Sequence, residues 1–138
     1  MNATLKGALV VLGLAAVVSF GACKKDEAKG SGSSAASSDN IPVAAVKEAK
    51  EIFSQRCVTC HGAAGKGDGA GAAALNPKPR DLTSKEWQAS VKDDHIEKII
   101  LQGGQAVGKS VAMPPNPDLD RKPMVIKALR AQVRALGQ

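Results

Sequence analysis

Apolar residues along the second two-thirds of the chain recur three and four positions apart, and nowhere with the alternation of a strand. After Pro42, a residue suited to a first helical turn, Val46, Ala49 and Phe53 form one stripe, opposed by Lys47, Glu48, Lys50 and Glu51. That helix runs directly into Cys57. A second stripe, Ile96, Ile99, Ile100 and Leu101, follows Asp93 and Asp94, either of which is suited to cap it, and Gly103-Gly104 ends it. The last segment, 122–136, has Pro123 in its first turn and apolar positions at Val125, Ile126, Leu129, Val133 and Leu136. Lys127, Arg130 and Arg134 mark its opposite face, and Met124 is expected in the core. A short helical turn over 84–90 with Ser84 as cap completes the set. The pattern predicts an all-α domain over residues 42–138, its first and last amphipathic helices packed on one another.

The N-terminal part is of another kind. Lys6 precedes a run of sixteen uncharged residues, 7–22, the size of a signal-peptide core and short of the about 20 apolar residues a membrane span needs. Residues 1–22 are therefore expected to be an export leader. The run ends in Phe20-Gly21-Ala22-Cys23, which looks like a bacterial lipoprotein cleavage box, with Phe20 where leucine is usual. On that reading Cys23 becomes the lipidated N-terminus, and several acyl chains, each CH₂ worth roughly 0.8 kcal/mol, hold the protein at a membrane. The competing reading is ordinary cleavage that leaves Cys23 as a free thiol. Residues 24–40 are Gly, Ser, Ala and charged or small polar residues with no large apolar side chain, the composition of a tether. Coil scaling gives that tether a reach on the order of 20–25 Å. The division is thus 1–22 leader, 23–41 lipidated cysteine and tether, 42–138 domain.

The candidate chemistry lies at the end of the first helix of that domain, in Cys57-Val58-Thr59-Cys60-His61. Two cysteines separated by two residues and followed at once by histidine are the attachment signature of a c-type haem. Thiols one short turn apart reach both vinyl groups on one edge of a porphyrin, and His61 falls beneath the iron. Composition agrees: the chain has Trp87, Phe20 and Phe53 and no tyrosine, so a haem would supply planar apolar mass that aromatic side chains otherwise provide. Charge adds less. Residues 42–138 carry 15 Lys/Arg against 10 Asp/Glu, a mild basicity suited to acidic partners or anionic membranes. The lysines are scattered and stacking aromatics are lacking, which argues against a nucleic-acid module.

Residues 43–138 resemble a class I monohaem cytochrome c. The resemblance rests on a helix entering Cys-x-x-Cys-His-Gly, a glycine-rich loop, a Pro-rich turn, a middle helix, a Met-Pro loop and a C-terminal helix. It implies three to five helices around one covalently attached haem c, with the first and last helices crossing so that Phe53 or Ile52 meets Leu129 or Val133. It implies thioethers at Cys57 and Cys60, His61 as proximal ligand, and haem attachment completed outside the cytoplasm. In Val111-Ala112-Met113-Pro114-Pro115, Met113 becomes the sixth ligand, presented by a proline-stiffened loop. A lone methionine is otherwise more often a gap-filler. The segment 74–82 corresponds to the family's proximal loop, in which Leu75, Asn76 or Pro77 is expected to offer a carbonyl to the Nδ1–H of His61. Arg80 and Trp87 are candidates to reach the propionates, and His95 reads as a surface residue.

Two other motifs compete for attention. Gly67-x-Gly69-x-x-Ala72 loosely matches a dinucleotide fingerprint, but no strand precedes it, and it reads better as a flexible haem-side loop. The cysteine pair as a thiol–disulfide site lacks a thioredoxin-like strand, and as a zinc site it lacks ligands. The sequence thus points to an exported, membrane-anchored, monomeric one-electron carrier, periplasmic or at the cell surface, serving redox protein partners such as membrane complexes or oxidases. A haem sensor or peroxidase with a labile sixth ligand is the alternative, and a haem-free lipoprotein a third.

Overall fold

Pro42, with φ −57° and ψ 141°, stands just outside the first helix, α1 (Val43–Ile52), where a missing N–H costs nothing. A computed structural model describes residues 40–138, and the leader, Cys23 and the tether over 24–39 lie outside the described residues. The chain does not break after α1. It widens into a π-helical turn (Phe53–Cys57) and tightens again into α2 (Val58–His61), which Gly62 ends at φ +77°. The extra residue in the wide turn lets Ser54, Gln55 and Arg56 bulge into solvent while Phe53 stays buried and Cys57 half-buried. The inner face of α1 is Ala45, Ala49, Ile52 and Phe53. Val46, expected on that face, is 36 % exposed, because the small Ala45 takes the position against the last helix.

Helices α3 (Lys85–Ser90) and α4 (Asp93–Gln102) follow the proline-rich segment, and α5 (Pro123–Ala135) closes the fold. Short 3-10 turns at Ala70–Ala72, Gln105–Val107 and Pro117–Leu119 carry the connections. Ser84 caps α3 as expected, its Oγ accepting from the Trp87 amide at 3.2 Å. Gly103, at φ +77°, ends α4. Helix α5 packs against α1 and α4. Ala49, Ile52, Phe53, Ile96, Leu119, Leu129 and Val133 belong to one buried cluster, with Ile41 and Leu136 packed on its margin. Among the described residues there is no strand, and the fold is the all-α one anticipated.

The C-terminal helix differs from its sequence pattern in two ways. Met124, expected in the core, is 41 % exposed, since Val125 and Ile126 are the first-turn residues that turn inward. Arg130, expected on the solvent face, is buried at 7 % exposure. Its Nη1 meets Asp93 Oδ2 at 2.7 Å, and Arg134 Nη2 meets Asp93 Oδ1 at 2.6 Å. Arg134 also donates to the carbonyls of Gln88 and Val91. Asp93 therefore does not cap α4 at all: it is the first residue of the helix, its N-cap is Lys92, and its carboxylate is spent on the two arginines. This cluster ties the α3–α4 junction to α5. Removing one partner of a buried charge costs about 3–5 kcal/mol, and Glu97 Oε1, 3.4 Å from Arg130 Nε, recovers part of it. Asp93→Ala should accordingly lower stability by about 2–3 kcal/mol in an equilibrium denaturant titration. A change below the ordinary surface range of about 0.5 kcal/mol would contradict this role.

Candidate haem site

Helices α1, α2, α4 and α5 and the segments between them surround a cavity of about 1000 Å³. Its walls are mainly apolar, with Phe53, Leu82, Ile96, Ile99, Leu129 and Val133 among them, and Cys57, Cys60, His61 and Met113 line the same cavity. The structure thus brings together the four residues that the sequence singled out in this domain. Both cysteines are unpaired and half-buried. Burial pushes the Cys57 thiol up to about 11, with neighbouring Arg56 opposing that rise only in part. At neutral pH this sulfur is a protonated thiol, an apolar group rather than an anion.

His61 is fixed from behind. Its Nδ1 lies 3.0 Å from the carbonyl oxygen of Arg80. A carbonyl only accepts, so Nδ1 carries the hydrogen and Nε2 keeps its lone pair. Burial lowers the pKa of the ring, and the Arg80 carbonyl offsets this only partly, so the imidazole is neutral at neutral pH, as a metal ligand must be. The acceptor is thus Arg80 and not Leu75, Asn76 or Pro77; Leu75 and Pro77 form cavity wall instead. Backbone packing explains the difference. The Leu82 amide donates to the Gly65 carbonyl at 2.7 Å, and a Cβ on Gly67 would lie 2.5 Å from the Pro79 carbonyl. The proline-rich segment is thereby drawn close to the glycine loop, with Arg80 opposite the imidazole.

The glycine loop itself, expected to be flexible, is pinned at its base. Gly67 donates to the His61 carbonyl at 2.8 Å and Gly69 to the Cys60 carbonyl at 3.1 Å. Any Cβ on Gly69 would collide with the carbonyls of Val58 and Thr59. Glycine here serves close approach of two backbones, with no phosphate cradle involved.

Met113 reaches the cavity from a loop hung on the end of α4. The Gly104 amide donates to the Met113 carbonyl at 2.9 Å, and Asn116 donates to Leu101 through its backbone and to Ile100 through its side chain. His95, read from sequence as a surface residue, is half-buried and stands on the cavity wall with Lys92 and Lys109. The missed signal was its phase: His95 precedes Ile99 by one helical turn, and both look inward. Arg80 and Trp87, the candidates to reach the propionates, also line the cavity.

These residues fit a haem. The volume lies at the upper end of the roughly 300–1,000 Å³ usual for organic ligands. A neutral imidazole nitrogen and a thioether sulfur are suitable iron donors, and two thiols at i and i+3 suit the vinyl groups. Loop placement depends on Gly103, where a Cβ would lie 2.8 Å from both the Met113 carbonyl and the Pro115 nitrogen. Gly103→Ala, which adds that clash to a positive φ, should cost about 1–3 kcal/mol and loosen the Met113 loop, read as faster amide exchange at Gly104. Unchanged stability and exchange would refute this.

Comparison with known proteins agrees with the geometry. No curated protein sequence matches the chain. A family model, Cytochrome c, matches residues 46–136 and so spans the helices and loops that build the cavity. With a covalent-haem signature, a cavity of the right size and that match over most of its length, the chain belongs to the cytochrome c family, whose members carry covalently bound haem in electron transfer.

Proposed function

We propose that this protein is a membrane-tethered one-electron carrier whose single haem c is joined to Cys57 and Cys60 and whose iron is held between His61 and Met113. The observation that carries this reading is the convergence of a carbonyl-oriented imidazole and a loop-borne thioether on one apolar cavity. When bound, haem supplies an iron that alternates between the ferric and ferrous states.

The chain's own residues do the rest. The Arg80 carbonyl holds the His61 ring and makes it a better donor. The Met113 sulfur is soft and neutral, so it favours the ferrous state and raises the reduction potential. Apolar walls from α1, α4 and α5 keep water away, which strengthens local electrostatics and limits rearrangement on charge transfer. Arg80, Lys92 and Lys109 at the cavity suit the two propionate carboxylates. With His61 and Met113 both holding the haem iron, the site would suit electron transfer, whereas a sensor or peroxidase would need Met113 to give way.

Export and anchoring rest on residues 1–23. The leader, the Gly21-Ala22-Cys23 box and the following tether support a lipoprotein at the outer face of a bacterial membrane. Cytochrome c domains are usually exported, in keeping with that reading. A tether of this length lets a monomeric domain swing between membrane-bound redox partners.

The oxidised holoprotein should show the weak sulfur-to-iron charge-transfer band of a Met-ligated ferric haem. Met113→Ala should abolish it, admit carbon monoxide to the reduced iron, and lower the potential by roughly 0.1 V or more, within the about 0.8 V that axial ligands command. An unchanged potential sinks the ligand assignment, and a wild-type protein without the band favours the sensor or peroxidase reading. Cys23→Ser should move the protein from the membrane to the soluble fraction; if it stays membrane-bound, the lipid anchor is wrong.

A further inference from the structure

The Met113 loop is held on two sides, and only one of them is α4. On the other side stands Arg56, the residue immediately before Cys57. Its Nη1 donates to Asn116 Oδ1 at 3.0 Å, and its two terminal nitrogens fork onto Asp118, Nη1 to Oδ1 and Nη2 to Oδ2, each at 3.0 Å. Asn116 is the shared piece. Its side-chain nitrogen donates to Ile100 at 2.7 Å and its backbone to Leu101 at 2.9 Å, while its oxygen receives Arg56. An unbroken set of bonds therefore runs from the haem-attachment segment, through Arg56 and Asn116, to the end of α4, and it closes the loop that carries Met113.

As a surface ion pair this contact would matter little. Arg56 and Asp118 side chains are 44 % and 49 % exposed, and isolated exposed pairs contribute about 0–1 kcal/mol. Its position gives it another consequence. The fork bridges segments about sixty residues apart, and the planar guanidinium matches carboxylate and amide together in a way a lysine cannot. The charged forms are mutually favoured: the hydrogen bond from Arg56 holds Asp118 below the usual carboxylate range, and Asp118 raises Arg56. Global unfolding would barely register the loss, whereas local opening of one loop would.

We propose that Arg56 is a positioning residue for the sixth iron ligand: its bridge to Asn116 and Asp118 latches the Met113 loop and sets how often that position opens to outside ligands. This rests on Met113 being the ligand, as argued above. The latch makes closure of the site a property of a polar contact at the surface rather than of the core.

The test uses the holoprotein and three readouts: imidazole displacement of the sulfur-to-iron band, carbon monoxide binding to the reduced form, and amide exchange at Gly104 and Asn116. Arg56→Ala should speed displacement and exchange roughly threefold to tenfold, the range expected for losing a bidentate charged contact in part-exposed surroundings. Arg56→Lys should fall between it and wild type, and Asp118→Asn should act in the same direction should the alanine variant fold poorly. Lys85→Ala removes an exposed contact that does not involve the latch, Lys85 Nζ to the Gly137 carbonyl at 2.6 Å, and should leave all three readouts unchanged. If Arg56→Ala matches wild type, or Lys85→Ala opens the site equally, the latch is refuted while Met113 ligation stands. A wild-type protein lacking the band removes the ligand assignment and the latch together.

Discussion

Residues 40–138 contain one tryptophan, one phenylalanine and no tyrosine, yet they enclose a cavity of about 1000 Å³. Most features of the fold answer to that constraint. The walls must come from aliphatic side chains on several helices, and those helices must be fixed by contacts outside the cavity. Close packing of α1 on α5 uses Ala45, Ala49 and Ala128, whose small side chains let the helices approach. The Asp93 cluster with Arg130 and Arg134 then binds α3 and α4 to that pair.

Within this frame the donor groups are held by backbone carbonyls and amides more than by other side chains. Arg80 contributes its carbonyl to His61, Met113 its carbonyl to Gly104, and Ile100 and Leu101 theirs to Asn116. Backbone partners do not titrate, so the acceptor side of these contacts is the same at every pH. The exposed Arg56 fork is the exception, a charged side-chain contact at the margin of the ligand loop. On the proposed reading, a backbone-held imidazole and thioether with a polar latch beside them would suit a site that passes electrons.

Much of this was legible in order along the chain. The Cys57–Cys60–His61 spacing, the Ser84 cap, the Gly103 stop and the Met113-Pro114 loop are local signals, and each occurs where the sequence places it. What misled was the assumption that charge means surface. Arg130 carries a charge at helical spacing from Lys127 and Arg134, and it is buried because Asp93 and Glu97 from α4 meet it there. His95 turned inward and Met124 outward for a similar reason: helical periodicity gives a phase, but the neighbouring elements decide which side is inside.

The sequence by itself determined the helices and the candidate residues for the haem site, because propensity and motif spacing act over a few residues. Only the tertiary structure decided which groups serve those residues. The Arg80 carbonyl behind His61, the Asp93 carboxylate under two arginines, and Arg56 across the Met113 loop join positions 19 to 62 residues apart. Such pairings arise from which segments the packed helices bring side by side. No local pattern along the chain encodes them.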